Sequence, residues 1–347
     1  MTSLPTTMRG VQLTGHGDID KLRIARDIPI PPLGAGDVLV KVAAAGVNNT
    51  DINTRIGWYS KSDAADDASW SSEALCFPRI QGADVCGYIA AVGERVNNNR
   101  IGERVLIEPC LTEVNGSQLE QAWYFGSECD GGFAEYTKVA SRHAYKVTSD
   151  LSDTELASFP CSYSTAENLL TRSAVKAGER VLITGASGGV GSAAIQLAKA
   201  RGAYVLAVTS QDKQQMISEL GVDEVLLREN KLSESVPANS VDVVIDLVAG
   251  KQFPQLLEVL RSKGRYAVSG AIGGAMVELD VRTLYLKDLS FFGCTVIEPQ
   301  VFGNLVRLIE QQQVRPLLAH TFPLEDIALA QATFLEKKYL GKIVLKI

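Results

Sequence analysis

The sequence predicts an α/β protein of two domains, one built of short strands and one built on a doubly wound parallel sheet. Three observations favour this fold: short strands punctuated by glycine up to about Ala157, alternating strands and helices after it, and a glycine-rich loop behind the first of those later strands. The 347 residues, 46% of them hydrophobic, suffice to bury two cores. A net charge of -6 without a dense Lys/Arg run argues against nucleic acid or an anionic membrane as partners.

The first zone carries β-like runs that are short and closely spaced. They lie at residues 38–42, 88–92, 104–107 and 133–139. Such strands between frequent turns are typical of a barrel-like β domain. The stretch 59–74, rich in Ser, Asp and Ala, predicts a long exposed loop.

The second zone alternates strands with helices, and its strands are almost continuously apolar. Strands are expected at residues 181–184, 204–208, 224–227, 241–248, 265–269 and 289–294, with an amphipathic helix after the first and further helices at 212–220 and 253–261. This pattern indicates a parallel sheet covered on both faces.

The last zone contains helices near residues 302–312 and 327–336 and a closing strand at 342–347. We expect that strand to return to the first domain. The predicted domains are therefore 1–157 with 296–347, and 158–295.

The cysteines favour a reducing compartment. Six cysteines are scattered without a C-x-x-C pair, so they are expected to be reduced thiols. No basic segment leads into an apolar stretch at the N-terminus, and apolar runs are too short to span a bilayer. We expect a cytoplasmic protein.

A glycine-rich loop, Gly-Ala-Ser-Gly-Gly-Val-Gly, occupies residues 185–191 between a predicted strand and an amphipathic helix. Dinucleotide binding needs a tight turn, a bare backbone close to the pyrophosphate, and a helix N-terminus aimed at it. The order strand, loop, helix, strand favours cofactor binding over a simple turn. The expected contacts come from the following residues: Ser187, Gly188, Gly189, Val190 and Gly191.

The end of the next strand distinguishes NAD from NADP. An acid there would bind the ribose 2′-hydroxyl of NAD, but the residues are Thr209 and Ser210, followed by Lys213. Two hydroxyls and an ammonium suit a 2′-phosphate, so NADP(H) is the predicted cofactor. Helix capping by Thr209 or Ser210 is the alternative, and the nearby Asp212 keeps NAD open.

Motifs along nearly the whole chain carry a family resemblance. They are Ala-Gly-Val-Asn-Asn-Thr-Asp at 45–51, Gly-Ala-Asp-Val-Cys-Gly at 82–87, Asp-Gly-Gly-Phe-Ala-Glu-Tyr at 130–136, the glycine loop, and Gly-Lys-Ile-Val at 341–344. With these the chain resembles the quinone oxidoreductase-like branch of the medium-chain dehydrogenase/reductase superfamily. The resemblance implies a GroES-like β-barrel domain interrupted by a Rossmann domain, with the active site in the cleft between them.

The resemblance also implies further contacts. The nicotinamide would be lined by the following residues: Thr165, Leu247, Ser269, Gly270 and Phe292. Relatives commonly form homodimers through edge strands of the Rossmann domain, and residues 289–294 are the candidate edge here.

Zinc is predicted to be absent. Zinc alcohol dehydrogenases of the superfamily keep ligands where this chain has Asn48, Ala83 and Cys161. One thiol among three positions cannot make a three-ligand catalytic site. The structural zinc of that branch needs four close cysteines, and only Cys110 and Cys129 lie in the relevant region.

Without a metal, hydride transfer from NADPH to a carbon conjugated with a carbonyl is the favoured chemistry. Asn48 and Thr50 are the predicted hydrogen-bond donors to the developing enolate. Tyr59 stands where similar enoyl thioester reductases keep a proton-donating tyrosine. The alternative is that Tyr59 lines the cleft without donating a proton. An alcohol dehydrogenase with an unusual site and an NADPH-binding protein with little turnover are the alternatives.

Overall fold

The computed structural model describes residues 4–59 and 75–347. Apart from Tyr59, the loop expected over residues 59–74 lies outside the described residues. Within the described ranges, no helix is both long enough and apolar enough to cross a membrane.

Strands and helices are numbered along the chain. The strands are β1 (Thr7–Leu13), β2 (Leu22–Pro29), β3 (Asp37–Val47), β4 (Arg79–Ile80), β5 (Asp84–Val92), β6 (Arg104–Ile107), β7 (Cys110–Val114), β8 (Ser117–Tyr124), β9 (Tyr136–Ala140), β10 (Ala144–Lys146), β11 (Arg180–Ile183), β12 (Tyr204–Thr209), β13 (Glu224–Leu227), β14 (Val241–Asp246), β15 (Leu260–Val268), β16 (Ser290–Gly293), β17 (Leu318–Pro323) and β18 (Lys342–Lys346). The α-helices are α1 (Asn49–Arg55), α2 (Asp153–Leu156), α3 (Pro160–Arg172), α4 (Gly189–Ala200), α5 (Gln214–Ser218), α6 (Leu232–Ser235), α7 (Phe253–Val259), α8 (Val281–Leu286), α9 (Val301–Glu310) and α10 (Ile327–Glu336).

The chain folds as two compact units, each described by itself. The first unit comprises Met1–Cys161, Pro316–Lys338 and Lys342–Ile347, and the second comprises Ser162–Arg315 and Tyr339–Gly341. The division differs from the predicted domains at three places: residues 296–315 and 339–341 belong to the second unit instead of the first, and residues 158–161 belong to the first instead of the second.

Hydrogen bonds explain where residues 296–315 belong. The Asn168 side chain donates to the Val296 carbonyl and accepts from the Glu298 amide. The Tyr163 hydroxyl donates to the Arg315 carbonyl over 2.8 Å. These long-range side-chain contacts hold α9 and its flanks against the second unit, and the sequence gives no local sign of them.

The first unit is organised around β3. This strand pairs antiparallel with β5 along most of its length, with β9 over its first half and with β18 over its last residues. All of its residues except Lys41 and Ala43 are buried, as expected for a strand covered on both sides. The returning β18 then pairs parallel with β17.

One predicted strand of the first unit starts later than expected. The run 133–139 is a strand only from Tyr136, because Gly132 and Phe133 donate their amides to the carbonyls of Gly82 and Gln81. Smaller sheets β2-β1-β4 and β7-β8 complete the unit.

The second unit contains a parallel sheet of six strands in the order β13-β12-β11-β14-β15-β16. Every neighbouring pair of its strands is parallel. The order reverses between β11 and β14, which is the doubly wound arrangement whose ligands bind at the carboxyl ends of the strands.

Two helices of the second unit are shorter than predicted. The expected helix 212–220 is a 3₁₀ turn, Gln211–Lys213, followed by α5. The helix expected to reach residue 261 ends at Val259, because Leu260 already pairs with Val241 at the start of β15.

A buried carboxylate joins three strand ends of this sheet. Asp246 Oδ1 accepts from the Thr184 hydroxyl over 2.6 Å and from the amides of Val248 and Ala249, and Oδ2 accepts from the Tyr266 hydroxyl over 2.6 Å. Burial and the neighbouring carboxylate raise the pKa of Tyr266, so its proton stays in place as donor. The loop after β14 is therefore fixed by a single side chain.

Tyr266→Phe is expected to lower the free energy of unfolding by about 2 kcal/mol, because the buried Asp246 carboxylate loses a donor. The measurement is a urea titration of both proteins. Tyr88→Phe is the matched control, since Tyr88 is 39% exposed and lies in the first unit, and it should change stability by less than about 0.5 kcal/mol. Equal stability of the Tyr266 variant and the wild type would show that this bond does not support the sheet.

Candidate active site

The two ends of the glycine loop in the second unit lie too close together for a side chain. Gly185 has a φ of 59°, and a Cβ on Gly191 would lie 2.2 Å from the Gly185 carbonyl oxygen. Gly188 precedes α4 as its N-cap and donates its own amide to the Gly185 carbonyl. Ala186, which stands where the usual first glycine would be, is fully buried and donates to the Val208 carbonyl.

The loop presents the N-terminus of a 12-residue helix at the carboxyl end of β11. Ser187, Gly189 and Val190 are half-buried there, and Gly188 is exposed. Backbone amides at such a helix start form an anion site of the kind that a pyrophosphate occupies. The five loop residues singled out from the sequence thus lie together.

Thr209, Ser210 and Lys213 lie together at the end of β12. All three are largely buried, and the Thr209 hydroxyl finds no hydrogen-bond partner within the described part of the chain. Burial lowers the pKa of Lys213. The Ser210 hydroxyl bonds the Asp212 carboxylate and so lowers the pKa of that acid, which keeps a negative charge beside these three residues.

Arg228 is a second cation at this strand end, and the sequence reasoning missed it. Its amide donates to the Thr209 carbonyl over 2.8 Å, and its charge acts on both Lys213 and Asp212. The available signal was its place as the first residue after β13, the neighbour of β12 in the sheet.

Three of the five residues expected around the nicotinamide lie just after β14 and β15, beside the glycine loop. A Cβ on Gly185 would lie 3.5 Å from Leu247 Cβ, and a Cβ on Gly270 would lie 2.7 Å from the Leu247 carbonyl oxygen. The Ser269 amide donates to the Asp246 carbonyl. These contacts group Leu247, Ser269 and Gly270 with the glycine loop, whereas Phe292 lies within β16 and Thr165 within α3, both half-buried.

In the first unit, the phenol of Tyr59 lies beside the hydroxyl of Thr50, a residue of α1. The Tyr59 hydroxyl donates to Thr50 Oγ1 over 3.1 Å and also bonds the Asn53 side chain. Burial raises the pKa of Tyr59, while these two bonds act to lower it. The structure therefore brings together the predicted Thr50 and Tyr59 and adds Asn53, which the sequence reasoning missed although it lies one helical turn after Thr50.

Asn48 has a different environment from the one expected. Its Nδ2 donates to Asp84 Oδ2 over 2.8 Å, and its Oδ1 accepts from the Lys342 ammonium. Lys342 also forms an ion pair with Asp84 Oδ2 at 2.7 Å, and both side chains are buried. The carboxamide is thus engaged within the protein, which argues against its predicted role as a donor to substrate.

Asp51 ties the start of α1 to the turn before β5. Its Oδ2 accepts from the Asn48 amide over 2.7 Å and its Oδ1 accepts from the Gly82 amide over 3.2 Å. Burial raises the pKa of Asp51 to about 7, and the nearby Lys342 acts in the opposite direction. Both carboxylate oxygens of Asp51 are thus engaged within the protein.

The positions that hold zinc ligands in zinc-dependent relatives do meet in space, but their side chains do not suit zinc. Ala83, Tyr124 and Cys161 pack as one cluster, and the Cys161 amide donates to Asp84. Ala83 offers no ligand atom and Asn48 offers only a carboxamide, so the Cys161 thiol is the single zinc-type ligand among the three positions. Residues 4–59 and 75–347 contain no group of three or more His, Cys, Asp or Glu that could hold a metal ion.

Comparisons with known proteins agree with this architecture. A family model described as the alcohol dehydrogenase GroES-like domain matches residues 34–149, and one described as zinc-binding dehydrogenase matches residues 189–311. The chain is 31% identical to a quinone oxidoreductase of Lama guanicoe, with 97% of each chain covered. It is 30% identical to an acryloyl-coenzyme A reductase of Metallosphaera sedula, covering 97% of this chain and 99% of the relative.

A solved structure of a candidate alcohol dehydrogenase from Sinorhizobium meliloti 1021 shares 42% of its residues with this chain at a TM-score of 0.90, covering 100% of this chain and 98% of that one. Family models, relatives of full length and fold agree. The chain therefore belongs to the medium-chain dehydrogenase/reductase superfamily of oxidoreductases.

Proposed function

We propose that the chain is an NADPH-dependent, zinc-independent reductase of acceptors whose carbon–carbon double bond is conjugated to a carbonyl, such as quinones, enones and enoyl compounds. The observation that carries the proposal is the hydrogen bond between Tyr59 and Thr50. It occurs in the same unit as the three positions that hold zinc ligands in zinc-dependent relatives, and here their side chains do not suit zinc. A phenol can protonate a carbon in the reduction of a conjugated acceptor, which needs no Lewis acid.

The names of two relatives point to the same acceptor class. A quinone and an acryloyl thioester both contain a double bond conjugated to a carbonyl. The description zinc-binding dehydrogenase attaches to a match that covers residues 189–311 and so excludes Asn48, Ala83 and Cys161. Zinc independence thus rests on the side chains at those three positions.

Bound NADPH would supply the hydride. Within the chain, Tyr59 then holds the proton at its phenolic oxygen, and Thr50 and Asn53 orient that oxygen. The raised pKa of Tyr59 keeps the phenol protonated through the neutral range, so a proton is available for the α-carbon of the acceptor. Thr50, unlike Asn48, is half-buried and keeps a hydroxyl beside the phenol.

NADPH is favoured over NADH by the end of β12. Thr209 offers a buried hydroxyl that lacks a partner among the described residues. The charged side chains here are two cations, Lys213 and Arg228, and one acid, Asp212. A 2′-phosphate carries about two negative charges, so it gains from this excess of positive charge. The loop residues 187–191 would hold the pyrophosphate.

A homodimer is the proposed assembly. The outer edge of β16 pairs with no strand within the described ranges, and α8 beside it has no buried residue. Met276, Leu286 and Tyr285 are 91%, 71% and 59% exposed on this side of the second unit. A second copy paired along β16 would cover both the strand edge and this apolar surface.

Tyr59→Phe is expected to lower turnover of a conjugated acceptor by about a hundredfold or more, since general acid catalysis contributes that much. The assay follows consumption of NADPH and of NADH in chelator, against quinones, enones, enoyl thioesters and simple aldehydes. The dissociation constant for NADPH should stay within about twofold, because the phenol is not in the second unit.

Tyr88→Phe is the matched control, since Tyr88 is an exposed tyrosine of the same unit. Full turnover by the Tyr59 variant would refute the proton-donor role. Turnover by the wild type that needs added zinc would refute the zinc-free assignment.

Lys213→Met should weaken NADPH binding about tenfold or more and leave NADH binding nearly unchanged, because only NADPH has the 2′-phosphate. Fluorescence titration of both nucleotides measures the two constants. Lys146→Met, at an exposed lysine of β10, is the control for loss of a positive charge. Equal weakening of both nucleotides would contradict the 2′-phosphate assignment.

Leu286→Glu is expected to shift the protein from dimer to monomer, because a carboxylate would have to be desolvated in the apolar contact. Light scattering after size exclusion gives the mass. Ile101→Glu, at a residue 48% exposed in the first unit, should leave the dimer intact. A monomeric wild type, or a dimer in both variants, would show that this surface is not the interface.

A further inference from the structure

Lys342 is the cation at the centre of the buried polar cluster in the first unit. Its side chain is 4% exposed, and its ammonium donates to Asn48 Oδ1 and lies 2.7 Å from Asp84 Oδ2. Asp84 is itself fully buried and accepts from the Asn48 carboxamide and the Cys161 amide. One ammonium therefore holds two polar side chains, those of Asn48 and Asp84, that lie far apart in sequence.

Asn48 connects the Lys342 cluster to the helix that contacts the Tyr59 phenol. It is the residue that precedes α1, the helix that carries Thr50, and Thr50 accepts the bond from Tyr59. The Asn48 amide is held in turn by Asp51. Lys342 thus fixes the side chain, and Asp51 the backbone, of the residue from which α1 begins.

Close packing leaves this cluster little freedom to rearrange. A Cβ on Gly46 would lie 2.6 Å from Asp84 Oδ2 and 2.8 Å from the Ala157 carbonyl oxygen. Only glycine fits beside the carboxylate at that point, so Asp84 cannot swing toward β3.

We propose that Lys342 is a positioning residue for proton transfer at Tyr59: its buried ammonium, acting through Asn48, Asp84 and Asp51, holds the start of α1 in the geometry that presents the phenol. This inference rests on the proposed function for its consequence in turnover. Its structural part, the dependence of the α1 geometry on the charge of Lys342, stands independently.

Two carboxylates share this single ammonium, and they affect each other. Burial raises the pKa of Asp51 to about 7; Lys342 acts to lower this pKa, and Asp84 acts to raise it. The other titratable groups in range are the Cys161 thiol and the phenols of Tyr124 and Tyr59, and burial raises the pKa of each. These three groups stay neutral near pH 7, so the charge balance is set by Asp51, Asp84 and Lys342.

The ionised form of Asp51 accepts two backbone amides, one on each oxygen. Protonation places a hydrogen on one oxygen and weakens one of those bonds. The positioned geometry is therefore present above the pKa of Asp51 and is lost as the pH falls through it. Turnover should show an acid limb near pH 7.

The test compares two substitutions that act in opposite directions. Lys342→Met removes the positive charge, so the acid limb of kcat/KM should move up by about one pH unit or more, with recovery at high pH. Asp84→Asn removes the opposing negative charge, so the limb should move down. Lys342→Arg should keep the limb near its wild-type position, and Lys346→Met, at the exposed lysine of the same strand, should not move it.

A second readout needs no turnover. Trp58 lies edge-on to Tyr59 with ring centroids 5.5 Å apart, so its fluorescence reports the geometry of this segment. The difference between each protein and its Trp58→Phe counterpart is titrated against pH without acceptor. The midpoint should follow the same order: Asp84→Asn lowest, wild type between, Lys342→Met highest.

The outcomes separate this inference from the proposed function. Shifts of opposite sign in the Trp58 titration support the positioning role even where no acceptor is reduced. An unchanged midpoint in Lys342→Met, or a loss of kcat/KM that is equal at every pH, overturns it. If Lys342→Met does not fold, Asp84→Asn decides: a downward shift supports the role, and an unchanged or upward midpoint overturns it.

Discussion

The pairing of β18 with β3 is the interaction on which the first unit depends. In its register, Val344 lies opposite Gly46, and on the other side of β3 Gly46 lies opposite Asp84. This places the last strand of the chain beside the strand that leads into α1, so Lys342 reaches Asn48 and Asp84. A shift of one residue would turn the side chains of β18 to the opposite face and leave both buried carboxylates without their cation.

The second unit depends on a local constraint instead. Its glycine loop is set by approaches too close for any side chain, such as the 2.2 Å between a Cβ on Gly191 and the Gly185 carbonyl oxygen. Such a constraint acts within seven consecutive residues, so the amino-acid types reveal it directly. The carboxyl ends of β11 and β14 follow from the alternation of strands and helices, and Asp246 then fixes the loop after β14.

This contrast explains which parts of the site could be predicted from the sequence. The fold class, the loop, and the neighbourhood of Thr50 and Tyr59 depend on short spacings, and the structure contains each of them. Asn48 was predicted to face substrate because its partners, Asp84 and Lys342, are brought to it only by strand pairing. Arg228 was not predicted either, because only the pairing of β13 with β12 places it beside Thr209. The attachment of α9 to the second unit likewise depends on side-chain bonds from Asn168.

The buried cluster also indicates what kind of chemistry the first unit supports. Two carboxylates and one ammonium leave the interior with an excess of negative charge, and burial offsets this by holding the pKa of Asp51 near neutrality. An ammonium donates hydrogen bonds but offers no empty coordination position, so it can orient groups without polarising a carbonyl as a Lewis acid does. A site built in this way suits an acceptor that already carries its own activation. In the proposed function, conjugation to a carbonyl supplies that activation, and the proton of the Tyr59 phenol completes the reduction.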